Sequence, residues 1–229
     1  MTPLLLLFGF PPNIAIGTDL MYAGLTKASG AWVHHKQGHV NWHILKYLAA
    51  GSITASLITG VALSHFFESS EQYGYLLTTV LGAMLLFTAM AIILRPWLQH
   101  WSNGFLNASE GRRTAVTTLT GVILGVLVTL SSVGAGAIGT ALLMILYPAL
   151  RSTHVVGTDI AHAVPLTLAA GAIHMYLGNV DFSLLGALLI GSIPAIHVAS
   201  RLAKRIPETI LRNALASMLF GLGIKYSLF

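Results

Sequence analysis

The chain has 229 residues, with 12 Lys and Arg, 7 Asp and Glu, 10 His and no Cys. Charged residues make up 8% of it and hydrophobic ones 55%, where an ordinary soluble domain carries about 25% charge. So few charges cannot cover a soluble surface, which excludes a soluble globular enzyme. The high hydrophobicity excludes disorder, and the lack of Cys excludes disulfides, thiolate metal sites and a cysteine nucleophile.

What remains is an all-α polytopic membrane protein whose first partner is the lipid bilayer. The net charge of +5 does not point to nucleic acid. Its Lys and Arg stand singly between apolar runs, as topology signals do, and form no basic patch. No nucleic acid partner and no cofactor is expected.

In chain order, a short apolar run over 1–10 comes first, followed by long runs at 14–33, 43–64, 75–94 and 114–133. A second short run covers 138–149, and further long runs cover 155–174, 183–200 and 209–227. Each long run suffices to cross a hydrocarbon core of about 30 Å; the short ones do not, and read as half-helices or re-entrant segments. The expectation is about seven full transmembrane helices plus two short segments. The longest loop, 95–113, is polar and aromatic like an interfacial connector. The opening MTPLLLLFGF lacks the basic start and small-residue cleavage site of a signal peptide.

Alternating sides groups Lys36, Lys46, Arg95, Arg112, Arg113, Arg151, Arg201, Lys204, Arg205 and Arg212 on one face. The opposite loops, 65–74 and 175–182, carry Glu68, Glu71 and Asp181 and no cation. Lys225 ends the last helix on the far side, and Lys27 falls inside a run. The ten grouped cations are therefore cytoplasmic.

Residues 15–56 and 155–196 align at an offset of 140 without gaps, with 13 of 42 positions identical. The matches include Gly17-Thr18-Asp19 with Gly157-Thr158-Asp159, His34 with His174, Gly38 with Gly178, and Gly51-Ser52-Ile53 with Gly191-Ser192-Ile193. With a two-residue gap, Thr2-Pro-Leu-Leu matches Thr140-Ala-Leu-Leu. The charge rule puts the loop after His34 inside and the loop after His174 outside, so the two halves are expected to be inverted repeats, the architecture of secondary transporters. The division is 1–97 as the first repeat, 98–113 as a cytoplasmic connector and 114–229 as the second repeat.

The stretches GTDLMYAGLTKASGAWVHHKQGHVNW (17–42) and SSVGAGAIGTALLMILYP (131–148) resemble the TauE/SafE sulfite-exporter family, and the resemblance extends over almost the whole chain. It implies movement of small, often sulfur-containing anions across the bacterial inner (cytoplasmic) membrane. It also implies a Gly-rich loop before a short Pro-containing segment in each half. The second half has that loop at 134–137, with Pro148. The chain opens where the first loop would already have passed, so the first half is expected to lack one helix and one loop, as in an N-terminally truncated chain.

Four groups of residues are candidates for the chemistry. Ser131, Ser132, Gly134 and Gly136 open the second short segment. Uncapped backbone N–H groups of a helix starting there, with two hydroxyls, suit a bound oxyanion; close packing by small residues is the other reading. Asp19 and Asp159 sit near the starts of their helices, with Asn13 and Ser152 or Thr153 as caps. They either complement the helix dipole or act in coupling or gating, since intramembrane carboxylates are costly and usually functional. Lys27 either snorkels to the interface or binds the anion. His162, three residues after Asp159, can form a coupled pair with it. His34, His35 and His39 have spacing that resembles metal ligands but no accompanying carboxylate. The alternative, a dipole role for His34 and His174 at helix ends, leaves no metal site expected. Pro165 and Pro194 are candidate kinks.

The leading function is a secondary transporter that exports a small anion such as sulfite, a sulfonate or a related oxyanion, with a homodimer as a further partner state. The alternatives are an intramembrane His/Asp enzyme, for which no H-E-x-x-H or G-x-S-x-G motif is present, and an anion channel. No P-loop supports ATP-driven pumping.

Overall fold

The computed structural model describes residues 1–67, 72–101, 109–203 and 207–228. Its described residues form nine helices: α1 (Thr2–Leu7), α2 (Pro12–Lys36), α3 (Trp42–Phe66), α4 (Gly74–Trp101), α5 (Glu110–Ser131), α6 (Ala137–Leu146), α7 (Ser152–Tyr176), α8 (Phe182–Ala203) and α9 (Glu208–Leu228). The seven long helices coincide with the seven long apolar runs, and α1 and α6 with the two short ones.

By length and composition together, four segments are fit to cross a membrane: Trp42–Phe66, Gly74–Leu94, Glu110–Ser131 and Ser152–Tyr176. That is fewer than the seven spans expected from apolar runs. In α2 the difference has a plain cause. Asp19, Lys27, His34, His35 and Lys36 interrupt an otherwise apolar helix.

Two local expectations change. The 95–113 connector is partly helical, because α4 continues to Trp101 and α5 begins at Glu110, capped by the Ser109 hydroxyl. The caps of α2 and α7 are Pro11 and Arg151, with no side-chain cap bond, rather than Asn13 and Ser152 or Thr153. Asn13 instead reaches across the fold and donates to Asn179 Oδ1 at 2.8 Å.

In lipid, helices associate through close packing and hydrogen bonds rather than through the hydrophobic effect. The α3–α5 contact is built on this. A Cβ at Gly51 would strike Thr118 O, one at Gly121 would strike Leu48 O, and one at Gly125 would strike Ser52 O. Two apolar clusters fill the remaining space. Ile16, Leu20, Leu63, Leu77, Val128 and Leu166 join α2, α3, α4, α5 and α7. Ile44, Leu48, Leu124, Leu143, Met144 and Val155 bring in α6.

Helices α2 and α7 pack antiparallel. A Cβ at Gly24 would lie 2.6 Å from Leu168 Cδ2, one at Gly171 would lie 2.7 Å from Met21 Sδ, and one at Gly157 would lie 3.1 Å from His34 Nδ1. The ends of the two helices exchange matching bonds. Asn41 donates its N–H to Thr158 Oγ1 at 2.9 Å, and Asp181 donates its N–H to Thr18 Oγ1 at 3.0 Å. These four positions are related by the 140-residue offset. Asn41 and Asp181 also cap the helices they precede, accepting from the N–H of Ile44 and Leu184.

Candidate functional site

The α5–α6 connection is where the backbone departs most from regular structure. Helix α5 ends at Ser131, Ser132 takes a left-handed conformation at φ 58°, and Gly134 and Gly136 follow at φ 118° and 136°. The last two values are open to glycine at little cost and strain any other residue. Helix α6 then starts without a side-chain cap; the Gly139 N–H donates to Gly134 O at 3.1 Å, and the N–H groups of Ala137 and Ile138 ahead of it form a partial positive end.

The candidate residues converge on this loop by different routes. Ser131 Oγ donates to Leu127 O at 2.6 Å and accepts from Val133 N–H at 3.2 Å, so its hydroxyl shapes the turn. Ser132 Oγ donates to Asp19 Oδ2 at 3.2 Å. Lys27 does not snorkel; its Nζ donates to Ala135 O at 3.0 Å and ties α2 to the loop. Gly134 abuts Met84, whose Cε a Cβ there would meet at 2.9 Å. Gly136 instead lines an open cavity of about 330 Å³, together with Ala137, Thr140, Ala91, Val156 and Arg212.

The two aspartates occupy equivalent niches. Asp19 Oδ2 accepts from Thr2 N–H at 2.8 Å and Thr2 Oγ1 at 2.7 Å, and the terminal amine lies 3.1 Å away. Asp159 Oδ2 accepts from Thr140 Oγ1 at 2.9 Å. Thr2 and Thr140 are the first residues of the gapped match, so each short helix presents a threonine to the aspartate of the long helix after it. Asp159 is 1% exposed, and its Oδ1 has no hydrogen-bond partner among the described residues. That oxygen is pressed against Gly139, where a Cβ would collide with it.

His162 is fully buried and lies 2.8 Å through Nε2 from Ser52 Oγ, across the α7–α3 contact, while its Nδ1 has no partner among the described residues. His174 is also fully buried. Its Nε2 contacts Thr129 O at 2.9 Å, which makes Nε2 the donor and Nδ1 the acceptor, 3.2 Å from Asn179 Nδ2. The metal-like spacing of His34, His35 and His39 does not become a cluster. His39 packs between His34 and His154, at ring distances of 5.7 and 5.4 Å, whereas His35 packs on Trp32 and Trp42. Among the described residues no group of three His, Asp or Glu is placed to hold a metal.

Sequence reasoning singled out the aspartates but not Thr2, Thr140, Thr18 and Thr158. The signal for them was present, since all four lie in the repeat matches. Arg212 was read only as a topology cation, and nothing in its sequence neighbours signals its place at the cavity.

A bundle of apolar helices, four of them among the described residues long and apolar enough to cross a bilayer, with two carboxylates buried between them, defines a multi-pass membrane protein. The profile of the family described as Sulfite exporter TauE/SafE matches residues 1–226, and the chain belongs to that family. It is 38% identical over 233 residues to the probable membrane transporter protein YjnA of Bacillus subtilis (strain 168), covering 98% of this chain and 89% of that one. It is 28% identical over 218 residues to the probable membrane transporter protein YdhB of the same organism, covering 93% of this chain and 83% of that one. No solved structure matches it significantly.

Proposed function

We propose that the protein is a secondary transporter of the bacterial cytoplasmic membrane that exports a small anion, sulfite or a sulfonate being the leading class. In this reading 1–97 and 114–229 are two inverted repeats joined by the connector 98–113. The seven long helices span the bilayer, and α1 and α6 are the short broken segments. The observation that carries the reading is the α2–α7 pair. Equivalent helices lie antiparallel and exchange the bonds Asn41 to Thr158 and Asp181 to Thr18. Two halves related in this way can pack in two alternative arrangements of similar energy, open to opposite sides.

The anion lies against the loop 131–137. The first turn of α6 and the Gly134–Gly136 backbone face it, and Ser131, Ser132 and Lys27 hold the loop in shape. Asp159, with His162 one turn further along α7, takes up and releases the coupling proton, while its counterpart Asp19 anchors α1 and the loop through Thr2 and Ser132. An enzyme reading gains nothing from the Ser52–His162 contact, because both side chains are closed to substrate.

Proteoliposomes loaded with the protein test this directly. Uptake of sulfite is expected to saturate and to respond to an imposed pH gradient, and Gly136→Leu is expected to abolish it while the protein still inserts. Uptake that rises linearly with concentration would instead indicate a channel. Because the chain has no Cys, single cysteines at Lys36→Cys and Tyr176→Cys report topology without background. Labelling from opposite sides is expected, and labelling from one side ends the inverted arrangement.

A further inference from the structure

The cavity beside Gly136 has a cationic wall and an apolar extension. Arg212, on the first turns of α9, lines it opposite the uncapped start of α6 and the Thr140 hydroxyl. The Nε of Arg212 is buried and has no hydrogen-bond partner among the described residues. An N–H withdrawn from water without a partner is costly, and an oxyanion that accepts from the half-buried guanidinium in fork geometry relieves that cost.

Ala91 and Ala141 line this cavity and also a second one of about 420 Å³ between α4, α5 and α6. That second space is walled by Phe87, Leu127, Ile138, Leu142 and other apolar side chains. The two together have the composition of a small-molecule site, a mostly apolar volume with a few convergent polar groups at one end. A bare inorganic oxyanion would leave the apolar part empty.

Resting on the transport reading, we propose that the substrate is an organic anion with an apolar tail, an alkyl sulfonate or its carboxylate equivalent. Its head group sits between Arg212, Thr140 and the first turn of α6. Its tail lies along the α4–α6 groove past Ala91 and Ala141. Small side chains at these two positions keep the passage between head-group and tail spaces open.

Calorimetric titration of the purified protein in phosphatidylcholine nanodiscs with methane-, propane- and hexanesulfonate tests this, with protein-free nanodiscs subtracted for partitioning. Each buried methylene is worth about 0.8 kcal/mol, so Kd is expected to fall about fourfold per added carbon until the groove is full. Arg212→Gln is expected to weaken the whole series at least about tenfold, as loss of a charge-assisted pair does. Ala91→Leu is expected to flatten the dependence on chain length, and Ala141→Leu serves as a second groove-filling variant if that one misfolds. A Kd independent of chain length, or unaltered in Arg212→Gln, overturns the proposal. So does loss of sulfonate binding when phosphatidylglycerol is added to the nanodiscs, which would assign the site to a lipid. A flat series beside saturable sulfite uptake defeats this proposal and leaves transport standing. A graded series without uptake of any anion does the reverse.

Discussion

Asp19 and Asp159 hold the same place in their two helices and live in different surroundings. Asp19 has one oxygen shared by the Thr2 N–H, the Thr2 hydroxyl and the Ser132 hydroxyl. Asp159 has a single donor, Thr140, and a second oxygen buried with no partner among the described residues. A carboxylate that organises several donors is a structural anchor. One left half-satisfied in a low-dielectric setting is a group whose charge can change with what binds nearby. The comparison teaches that a repeat can keep residue identity and still divide the roles.

Substitutions at the two sites separate those roles. The largest effect is expected for Asp159→Asn, which keeps shape and removes the titratable oxygen. Gradient-driven uptake should fall about 100-fold, equivalent to about 2.7 kcal/mol, and lose its dependence on the pH gradient in proteoliposomes. Asp19→Ala should have the next largest effect, on stability. It leaves the two buried donors of Thr2 and the half-buried Ser132 hydroxyl without their acceptor, a cost of about 2–4 kcal/mol read as a lowered thermal midpoint in detergent. Thr18→Val and Thr158→Val remove the exchanged bonds at the two ends of the α2–α7 pair. Each is expected to cost about 1 kcal/mol, and the two losses should match. The smallest effect is expected for the stability of Asp159→Ala, within about 1 kcal/mol of the parent, because the lost Thr140 bond is offset by removing an unpaired buried oxygen. If Asp159→Ala destabilises more than Asp19→Ala, the division of roles is reversed.

The particular helices show how much of this was legible in advance. Runs of apolar residues located all seven long helices, because a segment that must satisfy its own backbone in lipid has to be helical and long. The short α6 and the break before it were legible from the glycines at 134 and 136, and the aspartates from their isolation within apolar sequence. The extension of α4 through Pro96 to Trp101 was not legible, since polar and aromatic residues suit an interfacial loop and a helix end alike. Lys27 read as a cation that either snorkels or binds the anion, and only the fold supplies the carbonyl of Ala135 that holds it.

By itself the sequence determined that the chain is a helical membrane protein, and that Asp19 and Asp159 stand at matching positions of two stretches that align at an offset of 140. Those properties follow from composition and periodicity, which act locally along the chain. Tertiary structure alone decided which of the two carboxylates gathers several donors, that Thr2 and Thr140 serve them, and that Arg212 and the start of α6 line one cavity. Such facts depend on distances between residues far apart in sequence, and no local pattern encodes a meeting between helices that pack only once the bundle has closed.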